Sequence, residues 1–143
     1  MADLDYLFPI KSSSSKVFNA IATPEGLNSW WTKTCSGSPI EGNEYELGFG
    51  SGYQWRARVA RATPPSDFEL LITEADADWQ GSRLVFRLSD SNGVTNVQFQ
   101  HLGWPTENEH FRISCYCWAM YLRLLRRYVE FGERVAYEDR LDV

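Results

Sequence analysis

The chain of 143 residues holds only two histidines, His101 and His110, and three cysteines, Cys35, Cys115 and Cys117. Histidine near neutral pH can ligate metal, move protons or orient a ligand. Here Glu107 and Glu109 are the nearby acids, and the set matches no ligand spacing of a known metal centre. No Cys-x-x-Cys pair occurs. Cys115 and Cys117 stand two apart in a helical pattern, so they point about 200° apart and cannot readily bridge. With no evident group to stabilise a thiolate, both read as buried packing residues, and the odd cysteine count fits a reducing compartment. Gly48-Phe49-Gly50-Ser51-Gly52 imitates a phosphate-cradling loop, but Tyr53 replaces the third glycine and a strand follows, so a hairpin turn is the better reading. Glu74, Asp76 and Asp78 imitate a calcium loop, but Trp79 stands where the turn glycine belongs and Val85 where the closing acid belongs; this is an exposed acidic loop. No Gly-x-Ser-x-Gly elbow is present. No catalytic set, resident metal or cofactor emerges.

What the sequence does supply in excess is aromatic surface: six Trp, seven Tyr and eight Phe. Trp30 and Trp31 are adjacent at the end of a short helical stretch, where successive side chains diverge by about 100°. One flat core cannot easily bury both. Either one ring lines a hollow or the segment turns a corner between layers.

The periodicities say which elements would hold these rings. Leu4, Tyr6, Phe8 and Ile10 alternate as a strand. A serine run then caps a short helix bearing Val17, Phe18 and Ile21, and Thr23-Pro24-Glu25 opens a second with a capping Thr, Pro at the first position and an acid in the first turn. From Thr34 to Gly103 the period is two, as in an antiparallel sheet with one wet face. After Pro105 it becomes helical, with Phe111, Cys115, Trp118, Leu122, Leu125 and Val129 on one stripe and Gly132 as the stop. Residues 1–133 read as one domain and 134–143 as a charged, loosely held tail. The predicted class is α+β: a curved antiparallel sheet wrapped around a long C-terminal helix, with two short helices after the first strand. Such a helix-grip tends to leave a cavity between sheet and helix.

KVFNAIATPEGLNSWWT, residues 16–32, resembles the opening motif of the START-like (SRPBCC) superfamily, and within it the branch of activator of heat-shock protein 90 ATPase homologues. The matching positions are Val17, Phe18, Ala20, Thr23, Pro24, Glu25, Trp30 and Trp31. Similar residues follow at His101, Gly103 and Trp104, at Cys117-Trp118 and Tyr121-Leu122, and at Tyr128-Val129-Glu130. The resemblance implies the same helix-grip fold and, for many members, binding of lipids, polyketides or other apolar molecules. The chaperone activators carry a separate N-terminal domain beside this module, and 143 residues cannot hold both.

Inward strand positions and the helix stripe nominate a ligand-lining set: Tyr53, Trp55, Phe86, Phe99, His101, Phe111, Trp118 and Leu122, with one of Trp30 and Trp31. Packing of a solid core would account for the same residues, and a core histidine satisfied by protein groups would account for His101. The expected partner is a small apolar or amphipathic molecule. The alternative is a protein-interaction module docking on a chaperone or another protein, which a large apolar patch on the outer sheet face would favour. A net charge of −5 and pI near 5.0 argue against nucleic acid. Arg123, Arg126 and Arg127 read as a solvated helix face. With no basic leader and no long apolar run, the sequence predicts a cytoplasmic chain without a membrane span.

Overall fold

The computed structural model describes all of residues 1–143. Seven strands form one antiparallel sheet: β1 (Ala2–Ile10), β2 (Thr34–Ser36), β3 (Glu44–Gly48), β4 (Gln54–Thr63), β5 (Asp67–Glu74), β6 (Arg83–Ser91) and β7 (Val94–Trp104). Their order is β1-β7-β6-β5-β4-β3-β2. Strands two to seven meander, and β1 closes the far side by pairing with β7, with Tyr6 opposite Phe99. The edges are therefore β1 and the three-residue β2, which the sequence reading did not resolve as a separate strand.

The sheet is curved and open. Irregularities in the pairing of β4 with β5, between Arg56 and Ala57 and between Val59 and Arg61, are of the kind that bend a strand and raise its twist. The outer face is charged. Arg56 lies within ion-pair distance of Glu46 and Glu74, Arg83 of Glu69, and Arg87 of Asp67.

Helices α1 (Ser14–Ala22) and α2 (Pro24–Trp30) carry the chain from one sheet edge to the other. Ser13 caps α1 by accepting from the Lys16 amide. Thr23 serves both helices: its amide donates to the Asn19 carbonyl at the end of α1, and its hydroxyl accepts from the Gly26 amide at the start of α2. The helices meet so closely that a Cβ on Gly26 would lie 2.5 Å from the Asn19 carbonyl oxygen. Only glycine fits there.

The long helix α3 (Glu109–Phe131) is capped by Asn108 and stopped by Gly132 at φ 68°, a conformation glycine adopts without strain. Its 23 residues span about 35 Å. Trp118, Leu122, Leu125 and Val129 are buried as expected, but Ser114 and Leu124 complete the inner face. Cys115, expected inside, is exposed, and Cys117 is half-buried. The inner face of α3 turns toward Ser114 and Trp118, one position away from where the Phe111–Cys115 spacing puts it.

The closing segment is not loose. A 3-10 turn at Tyr137–Asp142 docks against α2, with Arg140 buried beneath it. The Arg140 guanidinium donates to the carbonyls of Asn28, Thr32 and Val135. Arg134 donates to the Ser29 hydroxyl, and the Tyr137 hydroxyl to the Phe49 carbonyl. Charged composition alone masked this docking: the arginine is held by carbonyls, not by an acid that could be paired with it in the sequence.

Candidate functional site

Two places between sheet and helix could receive a molecule, and the aromatic residues decide how much room each has. At the α2 end, Trp30 and Trp31 take different roles. Trp30 is fully buried and its Nε1–H donates to the Ala20 carbonyl at 2.9 Å, tying α2 to α1. Trp31 turns toward the sheet–helix interface, 5.1 Å from the Phe49 ring and 5.3 Å from Trp118 between centroids.

Trp118, on α3, packs 4.5 Å from Phe99 and 5.8 Å from Trp79. Trp55 lies 5.0 Å from Trp79 and 5.1 Å from Phe49. Phe86 joins from below, 4.8 Å from Phe99 and 6.4 Å from Trp30. Phe111 is further along α3, 5.5 Å from Trp104. The fold thus gathers Trp30, Trp31, Trp55, Phe86, Phe99, His101 and Trp118 into one aromatic body. Tyr53 does not join it. It is 52% exposed, in the turn before β4, because β4 begins only at Gln54.

Trp79 is the member that sequence reasoning missed. Its neighbours Asp76, Asp78 and Gly81 mark an exposed loop, yet the ring is buried against Trp31, Trp55, His101, Trp104 and Trp118. The loop folds inward because Trp79 and Gln80 amides donate to the Asp76 carbonyl, and Asp78 is pinned to the start of α3. The Asp78 carboxylate accepts from Asn108 and meets His110 Nδ1 at 2.9 Å, and these bonds lower its pKa, His110 foremost. One large apolar residue inside a run of turn formers was the available signal.

His101 sits within this body and is fully buried. An indole can only donate, so the 3.1 Å bond from Trp118 Nε1 makes His101 Nδ1 an acceptor. The proton then rests on Nε2 and is given to the Ser82 hydroxyl at 2.8 Å, which donates in turn to the Trp79 carbonyl. Burial, with a smaller contribution from His110, pushes its pKa down to about 3. Both ring nitrogens of this neutral imidazole are engaged by protein groups.

With these rings in place, the space among Trp31, Trp79, Ser114, Cys117, Trp118 and Tyr121 amounts to about 40 Å³. Ligand pockets for small organic molecules are typically about 300–1,000 Å³. The aromatic end is closed to such a molecule in this conformation.

The second place lies at the opposite side of the same interface, between edge strand β1 and α3. Tyr6, Phe8, Ala119 and Leu122 give it apolar walls, and Lys11, Arg123, Arg126 and Glu130 surround one end; its volume is about 410 Å³. The Tyr6 hydroxyl reaches across to the Cys115 carbonyl at 2.7 Å and closes the other end. Burial, then that hydrogen bond, raises the Tyr6 pKa, so the phenol stays a donor. Of the residues nominated from sequence, only Leu122 lines this groove. The rest of it depends on β1 being an edge, which the alternation of Leu4, Tyr6, Phe8 and Ile10 does not reveal.

Two larger surface depressions, of about 680 and 500 Å³, lie outside the sheet–helix interface. One, between α1, α2 and the end of α3, is walled by polar groups including Lys16, Asn19, Glu25 and Glu130. The other, on the outer side of α3, runs from Tyr116 to Val143 and does not enter the sheet–helix interface.

Comparison with known proteins agrees with this architecture. A solution structure of the Aha1 dimer from Colwellia psychrerythraea superposes with a TM-score of 0.84 at 25% identity, covering 93% of this chain and 99% of that one. MLL2253 from Mesorhizobium loti aligns with a TM-score of 0.80 at 14% identity, over 92% of this chain and 99% of the other. CalU16 from Micromonospora echinospora aligns with a TM-score of 0.72 at 20% identity, over 92% and 67% respectively. The last two share the fold. No curated protein matches the chain in sequence. No helix is long and apolar enough to cross a membrane. The family model described as activator of Hsp90 ATPase homolog 1-like protein matches residues 11–130, from the end of the first strand almost to the end of the long helix, and the chain belongs to that family.

Proposed function

We propose that this protein binds a small amphipathic molecule between its sheet and its C-terminal helix, and that the β1–α3 groove receives it. The observation that carries this reading is the contrast in room between the two places at the sheet–helix interface. The groove offers about 410 Å³ with apolar walls and a polar end, whereas the aromatic end offers about 40 Å³. Shape, apolar lining and a few convergent polar groups are what small-molecule sites have in common.

Docking on a chaperone, the other reading, rests on family membership. The outer sheet face, where an apolar patch would favour it, is instead crossed by arginine–carboxylate pairs, and exposed Leu7 of β1 belongs to the rim of the groove.

The test uses decanol, a neutral amphiphile, and chemical-shift mapping. Decanol is expected to move the amide signals of Phe8, Ala119 and Leu122. Ala119 is exposed on α3, so Ala119→Trp should fill the groove without disturbing the core. That variant is expected to keep the wild-type thermal midpoint and lose the shifts. Shifts confined to Trp31, Trp79 and Trp118 would move the site to the aromatic end, and no shifts in decanol-saturated buffer would refute ligand binding of this kind.

A further inference from the structure

The groove between β1 and α3 carries a local charge opposite in sign to that of the whole chain. The chain carries a net charge of −5, yet the end of this groove gathers three cations, Lys11, Arg123 and Arg126, against one carboxylate, Glu130. Glu130 is already committed. Its Oε2 accepts from the Lys11 backbone amide at 2.9 Å, its Oε1 accepts from Arg126 at 3.2 Å, and its side chain is 7% exposed. Neither the Lys11 ammonium nor the Arg123 guanidinium lies within 4.0 Å of any carboxylate in the protein, whereas eight of the twelve other lysines and arginines do. These two unpaired cations stand at the mouth of an apolar trough. Its walls come from Tyr6 and Phe8 on one side and Ala119 and Leu122 on the other.

Resting on the ligand reading above, we infer that the occupant is a single-chain amphipathic anion: an alkyl chain laid along Phe8, Ala119 and Leu122, with a carboxylate head between Lys11 and Arg123. Charge complementarity selects the sign of the head. An acidic protein repels anions at long range, so the local excess of positive charge is what would draw this ligand to this one groove. The arginine fork suits a carboxylate, which it can meet with two parallel N–H donors. The Glu130 carboxylate does not compete, because both of its oxygens are held by donors on the protein itself. A cationic head would meet Lys11 and Arg123 directly and be repelled.

Three ligands of equal chain length separate this inference from the reading beneath it: decanoate and decyltrimethylammonium below their micelle concentrations and decanol below its solubility limit, each followed at the Ala119 and Leu122 signals. The expected order is decanoate tightest, about fivefold tighter than decanol, as exposed ion pairs of this kind allow, with decyltrimethylammonium weakest. The decanoate advantage should shrink in high salt. Lys11→Gln and Arg123→Gln, both at exposed side chains, should bring the ratio of decanoate to decanol affinity from about five close to one. Equal binding of all three ligands would overturn the anionic class and leave the amphiphile groove standing. Failure of all three to bind would overturn both. If the groove signals instead shift on dilution of the protein alone, a second copy is the occupant, and the inference is wrong.

Discussion

Trp118 on α3 donates its indole N–H to Nδ1 of His101 on β7, so the long helix and the strand beside the β1 edge are joined by a buried hydrogen bond of 3.1 Å as well as by ring packing. The bond is available only while the imidazole is neutral. A second proton on His101 would face the Trp118 donor with another donor.

Stability should therefore respond to acid through His101. The unfolded chain takes up a proton near pH 6.5, while the folded chain resists until about pH 3. Across that window the unfolded state binds more protons, so stability falls as pH falls. Between pH 8 and pH 5 the expected loss from this group is about 2 kcal/mol. His101→Gln, which can still accept from Trp118, should flatten that part of the profile in urea melts. An equal slope in both proteins would refute the assignment, as would an imidazole that titrates near pH 6 by NMR.

The indole N–H groups of Trp30 and Trp104 differ in a way that two parallel substitutions can expose. Trp30 Nε1 has the Ala20 carbonyl as partner, whereas buried Trp104 Nε1 has none. Trp30→Phe removes a hydrogen bond and leaves the carbonyl unmatched, at a cost of about 1–3 kcal/mol beyond the lost volume. Trp104→Phe removes a donor that had no acceptor, so beyond its own lost volume it should cost little, clearly less than Trp30→Phe. Equal losses in denaturant unfolding would refute the distinction.

Trp118→Ala is expected to behave as a core truncation and cost about 3–5 kcal/mol. The ring is 2% exposed and walled by Phe99, Trp31 and Trp79. Tyr53→Ala, at an exposed turn position, should cost no more than about 0.5 kcal/mol. A small loss at Trp118 would mean that its ring faces more open space than about 40 Å³.

Arg140 holds the closing segment through three carbonyl acceptors. Arg140→Ala leaves those acceptors without the charged donor, an expected loss of about 2–3 kcal/mol. The effect should be local: faster amide exchange over Tyr137–Asp142 and at Thr32, with the β6–β7 amides unchanged. Uniform acceleration across the sheet would show instead that the segment is part of the global folding unit.

Much of this architecture is written locally. The Thr23-Pro24-Glu25 cap, the period of two from Thr34 to Gly103 and the long stripe after Pro105 depend on propensity and spacing between near neighbours. They determine two short helices, an antiparallel sheet and one long helix before any packing is known. The pairing of Trp30 with Trp31 likewise announces that two environments meet at the end of α2. Which ring takes which environment is decided by the Ala20 carbonyl and by Phe49, Trp79 and Trp118, all distant in sequence from one another.

The site itself is a tertiary product. Trp79 enters the core because Asp78 is held by His110 and Asn108 across 30 or more residues of chain. Tyr53 leaves it because β4 starts one residue later than the alternation implies. The groove exists because β1 pairs with β7 on one side only, which leaves its other side facing Ala119, Leu122 and Arg123. Strand order depends on which distant strand gains most by pairing, and no local period encodes that. The sequence alone therefore determined the elements and their aromatic content; only the tertiary structure decided that the rings fill the aromatic end and that open space remains between β1 and α3.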